Sequence, residues 1–94
     1  MTNVNILQMP LFKRTYKKLK PNQQEAVDKA VIAIVENPLL GKKKRGDLNE
    51  IYVYKFDCVN RQLLIAYEWN YETRVLIALG IHENFYRNLK RNIP

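Results

Sequence analysis

The sequence has a single cysteine and only one histidine among its 94 residues. The lone cysteine, Cys58, cannot form an internal disulfide, and the lack of a Cys/His cluster argues against a structural zinc site. No apolar run approaches the roughly 20 residues needed to cross a bilayer. Residues 1–5 lack the basic start and apolar stretch of a signal peptide. We therefore expect a cytoplasmic protein with no membrane partner.

Acidic residues are in short supply. Nine Asp and Glu face sixteen Lys and Arg, which gives a net charge of +7. An excess of this size predicts an anionic partner and carries no information about the fold. Nucleic acid, an acidic protein and an anionic membrane surface would each satisfy the same charge. No acidic cluster suited to Mg²⁺ is evident, so we expect neither a metal nor a cofactor. The length predicts one domain over residues 1–94.

Hydrophobic periodicity predicts a short strand at residues 4–7 followed by two helices. Phe12, Tyr16 and Leu19 share one face of the first helix, which begins near Pro10. The second helix follows Pro21, carries an apolar stripe, and ends before Pro38. Asn22 and Glu25 have the spacing of a capping box at its start. Two antiparallel helices joined by a short turn are expected.

The second half of the chain reads as a loop over residues 38–50 and three strands at 51–58, 62–69 and 73–79, joined by tight turns. A last helix is predicted over residues 83–92. The order is β-α-α-β-β-β-α. It predicts an α+β fold in which a helical hairpin packs on an antiparallel sheet, with a helix at the C-terminus.

The cations concentrate in three places. Four adjacent cations in the loop repel one another, which favours a phosphate contact over a structural role. The first helix and the C-terminal segment carry the others, and on the first helix a merely solvated face is an equal alternative. The predicted RNA-binding cations are Lys13, Lys17, Lys42, Lys43, Lys44 and Arg45.

His82 follows Gly80 at a strand-to-helix junction and is the only imidazole available for proton transfer near neutral pH. RNA cleavage by transesterification needs a base for the 2′-OH, charge stabilisation on the phosphorane and an acid for the 5′ oxygen. One His, one or two Arg or Lys, and a Tyr or carboxylate meet this need without a metal. Glu50 and Asp47, the carboxylates near the basic loop, are the candidates for the base.

The order of these segments resembles the RelE/ParE superfamily of bacterial toxins from type II toxin–antitoxin systems. The likeness covers nearly the whole chain, and its most specific segment is the close of the sequence, where Gly80, His82 and an aromatic pair precede a basic helix. The matching segments are residues 12–19, 37–38, 45–48, 51–56, 61–67 and 79–91.

The resemblance implies a toxin that cleaves mRNA on the ribosome. It implies Arg61 and Lys55 as stabilisers of the phosphorane, and His82 as the general acid. Tyr86 or Phe85 would stack on a nucleobase or aid proton transfer, and Glu50 would fill the role of general base that some members give a carboxylate. Lysine pairs found in other members are reduced here to Lys55, which favours a histidine-based mechanism. The implied partners are a cognate antitoxin, ribosomal RNA and mRNA.

Two other functions remain open. A second branch of the superfamily inhibits DNA gyrase on the same scaffold without a nuclease site, so the fold alone does not decide the activity. An inactive, regulatory binding module would also fit the charge. The sequence does not say which sheet face carries Lys55 or Arg61, because a slip of one residue reverses both.

Overall fold

The computed structural model describes residues 4–43 and 50–81. Their elements are β1 (Asn5–Gln8), α1 (Pro10–Lys17), α2 (Pro21–Glu36), β2 (Lys42–Lys43), β3 (Tyr52–Asp57), β4 (Gln62–Trp69) and β5 (Thr73–Gly80). The α+β class and the helical hairpin on a sheet are confirmed. The predicted C-terminal helix lies outside the described residues.

The five strands form one sheet in the order β1-β5-β4-β3-β2. The meander of β3, β4 and β5 is antiparallel, as predicted, but β1 runs parallel to β5. The sheet is therefore mixed and not purely antiparallel. Two helices separate β1 from the meander, so no hairpin turn dictates the direction in which it pairs. The predicted loop also contributes β2, a two-residue strand that pairs with β3.

Helices α1 and α2 each begin at a proline, whose fixed φ suits the first helical position. The capping box predicted for Asn22 and Glu25 is wrong by two residues. Instead, the Gln23 side chain accepts a hydrogen bond from the Lys20 N–H at 2.9 Å, because α2 starts at Pro21. The Tyr16 hydroxyl donates to Asp28 at 2.8 Å and ties α1 to α2.

The sheet buries apolar side chains on both faces, which explains the nearly continuous hydrophobic sequence of β4. The helix face packs Leu63, Ile65 and Tyr67 against Phe12 and Ile34 of the two helices. The opposite face, called here the second face, carries a separate cluster of buried side chains. Its members are Ile51, Val53, Leu64, Ala66, Ile77 and Ala78.

The turn predicted at Val59 and Asn60 is confirmed and has a left-handed backbone. Their φ angles are 48° and 67°, the pattern of a type I′ hairpin turn. Asparagine tolerates this region, whereas a β-branched valine adopts it at a cost. The Cys58 N–H donates to the Arg61 carbonyl at 2.6 Å and closes the turn. None of the described helices is long and apolar enough to cross a membrane.

Candidate functional site

Lys55 lies on the second face of the sheet. Along β3, Tyr52, Tyr54 and Phe56 pack against the helix-face cluster, and Val53 belongs to the second-face cluster. Since successive strand residues alternate between faces, the exposed Lys55 shares the face of Val53. The sequence left this face undecided, and the register of β3 determines it.

Lys42 joins Lys55 on the second face. Lys42 pairs with Val53 across the edge of the sheet, and directly opposed residues of an antiparallel pair share a face. Lys42 and Lys55 are thus diagonal neighbours, about 7–8 Å apart between their Cα atoms. Both side chains are exposed. A predicted RNA-binding lysine and a predicted catalytic lysine therefore form one cationic patch.

A row of paired residues runs from Lys55 across the sheet to the end of β5. Lys55 pairs with Leu64, and Leu64 pairs with Gly80. The described chain ends one residue later, at Ile81. Three predicted site residues, His82, Phe85 and Tyr86, lie outside the described residues, so their roles stay predictions.

Asp57 is a site candidate that the sequence interpretation overlooked. It lies two residues beyond Lys55 and pairs with Gln62, whose side-chain amide donates to the Asp57 carboxylate at 3.4 Å. By strand alternation, both belong to the face of Lys55. Since the strand and its tight turn were both predicted, the i, i+2 spacing of Lys55 and Asp57 was an available signal.

Arg61 is not brought together with Lys55. It lies opposite Cys58 across the hairpin turn, and the buried Cys58 thiol points toward α2, where Sγ lies 3.6 Å from the Gln23 carbonyl. Burial raises the pKa of Cys58, and the nearby Arg61 guanidinium partly opposes that shift. Arg61 is therefore on the helix side of the hairpin. A shared role with Lys55 on one phosphorane is not supported by these positions.

Glu50 is also remote from Lys55. It precedes β3, and the three residue-to-residue steps from Tyr52 to Lys55 alone span about 10 Å. Its carboxylate pairs with Lys43 at 3.4 Å, and both side chains are largely exposed. The base role implied for Glu50 stays a prediction, and Glu50 is paired with Lys43 and not placed beside Lys55.

The remaining predicted cations divide between opposite sides of the sheet. Lys43 pairs with Tyr52 at the β2 edge, while Lys13 and Lys17 are exposed on α1, which contacts β5. Strands β3 and β4 separate these two sides. Lys44 and Arg45 lie outside the described residues. The predicted RNA-binding cations within the described residues thus lie on two separate surfaces.

The strand aromatics are partly or fully buried and pack on the helix face of the sheet. Tyr52 stacks on Tyr67 with ring centroids 5.8 Å apart and meets the edge of Trp69 at 6.1 Å. Tyr54 stacks on Phe56 at 6.1 Å. These rings pack on the helix face, away from Lys55. Among them, none shares the face of the cationic patch.

Arg74 is a buried cation with a structural position that the sequence did not indicate. It is 4% exposed, and its guanidinium donates to the Ile34 and Val35 carbonyls at 3.4 and 3.0 Å and to the Asn70 carbonyl at 2.6 Å. Carbonyls in the last turn of a helix lack intrahelical partners and attract positive charge. Arg74 therefore caps the C-terminal end of α2 on the sheet.

The comparisons with known proteins agree with this architecture. A family model described as ParE-like toxin of type II bacterial toxin-antitoxin system matches residues 6–90. No curated protein matches the sequence of the chain.

Solved structures of bacterial toxins share the fold at low sequence identity. A mutant of the E. coli toxin RelE in the free state is 16% identical, with a TM-score of 0.74 over 98% of this chain and 95% of that one. The RelBE2 toxin–antitoxin complex from Mycobacterium tuberculosis is 18% identical, with a TM-score of 0.73 over 86% of this chain and 100% of that one. The YoeB/ParE toxin from Agrobacterium tumefaciens is 9% identical, with a TM-score of 0.66 over 84% of this chain and 99% of that one.

Proposed function

Because the chain belongs to the ParE-like toxin family of type II bacterial toxin–antitoxin systems, we propose that it arrests translation as an endoribonuclease. Its substrate is mRNA engaged on the ribosome in the cytoplasm, and its catalysis uses side chains without a metal or cofactor. The observation that carries the proposal is the cationic patch of Lys42 and Lys55, in line with the end of β5. A cognate antitoxin, acidic in character, is the partner that neutralises it.

The reaction is an in-line transesterification. The 2′ oxygen attacks the adjacent phosphorus, the bond from phosphorus to the 5′ oxygen breaks, and a 2′,3′-cyclic phosphate forms. Lys55 stabilises the added negative charge on the phosphorane, a role that fixed cations fill effectively where water is restricted. His82 donates the proton that the departing 5′ oxygen takes up, and Tyr86 orients the nucleobase of the mRNA.

Removal of the 2′-OH proton requires a general base near Lys55, and a carboxylate can fill this role. Asp57 meets this requirement through its position on the same strand and face, with Gln62 holding one carboxylate oxygen at 3.4 Å. Glu50 is paired with Lys43 instead. We therefore assign the base to Asp57 in the proposed mechanism, and Arg61 takes no part in it.

Binding to the ribosome is assigned to the cations around the β2 edge. Lys42 and Lys43, with Lys44 and Arg45 next in sequence, supply contacts to ribosomal RNA phosphates without sequence choice. Lys13 and Lys17 on α1 would contact a separate stretch of the RNA backbone, since β3 and β4 lie between α1 and the β2 edge.

Primer extension on translated mRNA tests the proposal after brief expression of the toxin. New 5′ ends are expected with the wild-type chain and are expected to disappear with His82→Ala at equal protein level, since loss of a general acid costs about 10²–10⁴-fold in rate. Growth arrest with intact mRNA and undiminished arrest by His82→Ala would contradict the nuclease assignment.

A second function is favoured by the description of the matching family, which names ParE-like toxins. A gyrase inhibitor of this fold would need no nuclease site, and the separation of Arg61 and Glu50 from Lys55 is compatible with that alternative. Accumulation of cleaved gyrase–DNA complexes in toxin-expressing cells, without new mRNA ends, distinguishes it. A regulatory binding module would cause no growth arrest at all.

A further inference from the structure

Tyr71 lies in the tight turn between β4 and β5, and 91% of its surface is exposed. Every other aromatic residue that the structure describes is at least partly buried. Exposure alone would not single Tyr71 out, because isolated apolar side chains are common on protein surfaces. The support beneath this ring distinguishes it.

The backbone on both sides of Tyr71 is held by hydrogen bonds. The side-chain oxygen of Asn70 accepts the N–H groups of Glu72 and Thr73, each at 2.8 Å, and the Asn70 N–H donates to the Thr73 carbonyl at 3.0 Å. The buried Arg74 guanidinium donates to the Asn70 carbonyl at 2.6 Å. A turn fixed in this way loses little conformational entropy when its side chain binds a partner.

Trp69 supports the ring of Tyr71 from the side of the sheet. The two rings meet edge to face, with centroids 6.4 Å apart and planes at 83°. Trp69 itself is held between the Tyr52 ring, at 6.1 Å, and the Arg74 guanidinium, 5.7 Å from its centroid. An edge-to-face contact uses at most one face of the Tyr71 ring. At least one face therefore stays open to solvent, as its exposure requires.

A lysine lies on the same face of the sheet as this group of rings. Lys43 is paired with Tyr52 across the β2–β3 ladder, and directly opposed residues of an antiparallel pair share a face. The Lys43 side chain is exposed, and so is its ion-pair partner Glu50. Such an exposed pair contributes little stability, so a phosphate can take the place of the carboxylate. A cation for the backbone and an open aromatic face for a base are the parts of a site for single-stranded RNA.

We propose that Tyr71 stacks on an unpaired nucleobase of ribosomal RNA while Lys43 contacts the phosphate backbone nearby. The inference rests on the proposed function, because it names one contact by which the toxin engages the ribosome. Sequence-tolerant stacking is available on any base, since each has a π face. The neighbours of Tyr71 in the turn are polar, which suits one stacked base better than an apolar protein surface. The net charge of +7 also favours RNA.

Co-sedimentation with purified ribosomes over a range of salt concentrations tests the proposal. Affinity should fall about 5–100-fold for Tyr71→Ala, as for other stacked bases. The slope of log affinity against log salt should stay the same, because no charge is removed. Tyr71→Phe should bind as the wild type does, whereas Tyr71→Leu should lose nearly as much as Tyr71→Ala. Leu39→Ala is the matched control, since Leu39 is 64% exposed and carries no ring.

Three results from these variants would overturn the proposal. The first is equal affinity of Tyr71→Ala and the wild type. The second is full recovery by Tyr71→Leu, which would assign the contact to apolar bulk and not to stacking. The third is an equal loss with Leu39→Ala, which would indicate a wider apolar surface for a protein partner. Urea unfolding should show the same stability for all four variants, because the replaced side chains are exposed.

Ultraviolet crosslinking of the wild-type toxin to ribosomes, read by mass spectrometry, needs no substitution. A nucleotide adduct on Tyr71 is expected. Adducts at other residues but none at Tyr71, or a crosslink from Tyr71 to a ribosomal protein, would contradict the stacking contact. Failure of the wild-type toxin to bind ribosomes would remove the proposed target and the inference together. Normal binding and mRNA cleavage by Tyr71→Ala would remove the inference alone, which distinguishes the two failures.

Discussion

The hydroxyl of Tyr67 accepts a hydrogen bond from the Gly41 N–H at 2.9 Å, just before the cationic edge strand begins. The same hydroxyl donates to the Pro38 carbonyl at 2.6 Å, and the Tyr67 ring is fully buried. One side chain of the central sheet thus fixes both ends of the short segment that leads into Lys42. Tyr67 thereby anchors the segment that precedes Lys42.

Removal of the Tyr67 hydroxyl should destabilise the fold. We expect Tyr67→Phe to cost about 1–3 kcal/mol in the free energy of unfolding, because the Gly41 N–H and the Pro38 carbonyl lose their partner. Gly41→Ala should also destabilise, since an added Cβ would lie 2.7 Å from the Tyr67 hydroxyl oxygen and 3.0 Å from the Val53 carbonyl carbon. In Tyr67→Phe the first of these clashes disappears. The double variant should therefore be destabilised by less than the sum, as measured by urea unfolding.

Stability should decrease at alkaline pH because of buried acids that stay protonated in the folded state. Burial raises the pKa of Cys58 above its ordinary 9.0, so its contribution is complete below pH 9 and is lost as pH rises through the folded-state value. Burial likewise raises the pKa of Tyr67 from 10.0, so its contribution to stability is lost at higher pH than that of Cys58. Cys58→Ser should flatten the first part of this decline in urea unfolding series at pH 8–10. An unchanged slope would contradict the assignment to Cys58.

Replacement of Arg74 should destabilise the fold, because this cation is buried and hydrogen-bonded to backbone carbonyls. Arg74→Met is expected to cost about 2–4 kcal/mol, since the last carbonyls of α2 and the Asn70 carbonyl lose a charged donor. Arg74→Lys keeps the charge but not the planar fork, and should recover only part of the loss. Arg14→Met on the exposed surface of α1 is a suitable control, with little expected change.

Local patterns predicted most of the elements because each signal was carried by neighbouring residues. The stripe from Val27 to Ile34, the Val59-Asn60 turn and the prolines at the helix starts all act within a few positions. The parallel pairing of β1 with β5 could not be read in this way, because its partner residues, such as Leu7 and Val75, are 68 positions apart in sequence, 75 − 7.

The candidate site was predicted in part for the same reason. Lys55 was found from the sequence, but its face required the β3–β4 register, and its neighbour Lys42 required the pairing of β2. Arg61 was grouped with Lys55 by resemblance, although the hairpin turn places it beside Cys58. Arg74 reads as an ordinary surface cation until its carbonyl partners on α2, about 40 residues away, are known.

Neutralising the β2 edge should weaken ribosome binding in a salt-dependent way. Removing one phosphate-binding cation reduces the slope of log affinity against log salt by about 0.7–0.9. The double variant Lys42→Gln with Lys43→Gln should therefore reduce this slope by up to about 1.4–1.8. The slope is measured by ribosome co-sedimentation at several salt concentrations. Lys29→Gln is the control, because Lys29 is paired with Glu25 at 3.6 Å on α2. An equal change with the control would assign the effect to net charge alone.

Substitutions of Lys55, Asp57 and Arg61 should change the rate of mRNA cleavage to different extents. Lys55 and Asp57 share the second face of the sheet, whereas Arg61 lies on the helix side. We expect Lys55→Ala to lower the cleavage rate about 10²–10³-fold, as for other groups that stabilise charge in a transition state. Arg61→Ala should have a much smaller effect, because its position beside Cys58 is on the helix side of the hairpin. If the two substitutions are equally damaging, the division of the site between two faces is wrong.

Asp57→Asn gives the sharpest comparison, because charge and catalysis predict opposite results. Removing a negative charge beside Lys55 should tighten RNA binding. If the Asp57 carboxylate has no catalytic role, the variant should also cleave RNA at a normal or faster rate. As the base for the 2′-OH, Asp57 is instead required, and cleavage by Asp57→Asn should fall about 10²-fold or more while binding is equal or tighter. Gln62→Ala, which removes the 3.4 Å hydrogen bond to the carboxylate, should produce a smaller decrease in rate. Binding that tightens with undiminished cleavage would assign Asp57 to the surface and leave the base unaccounted for.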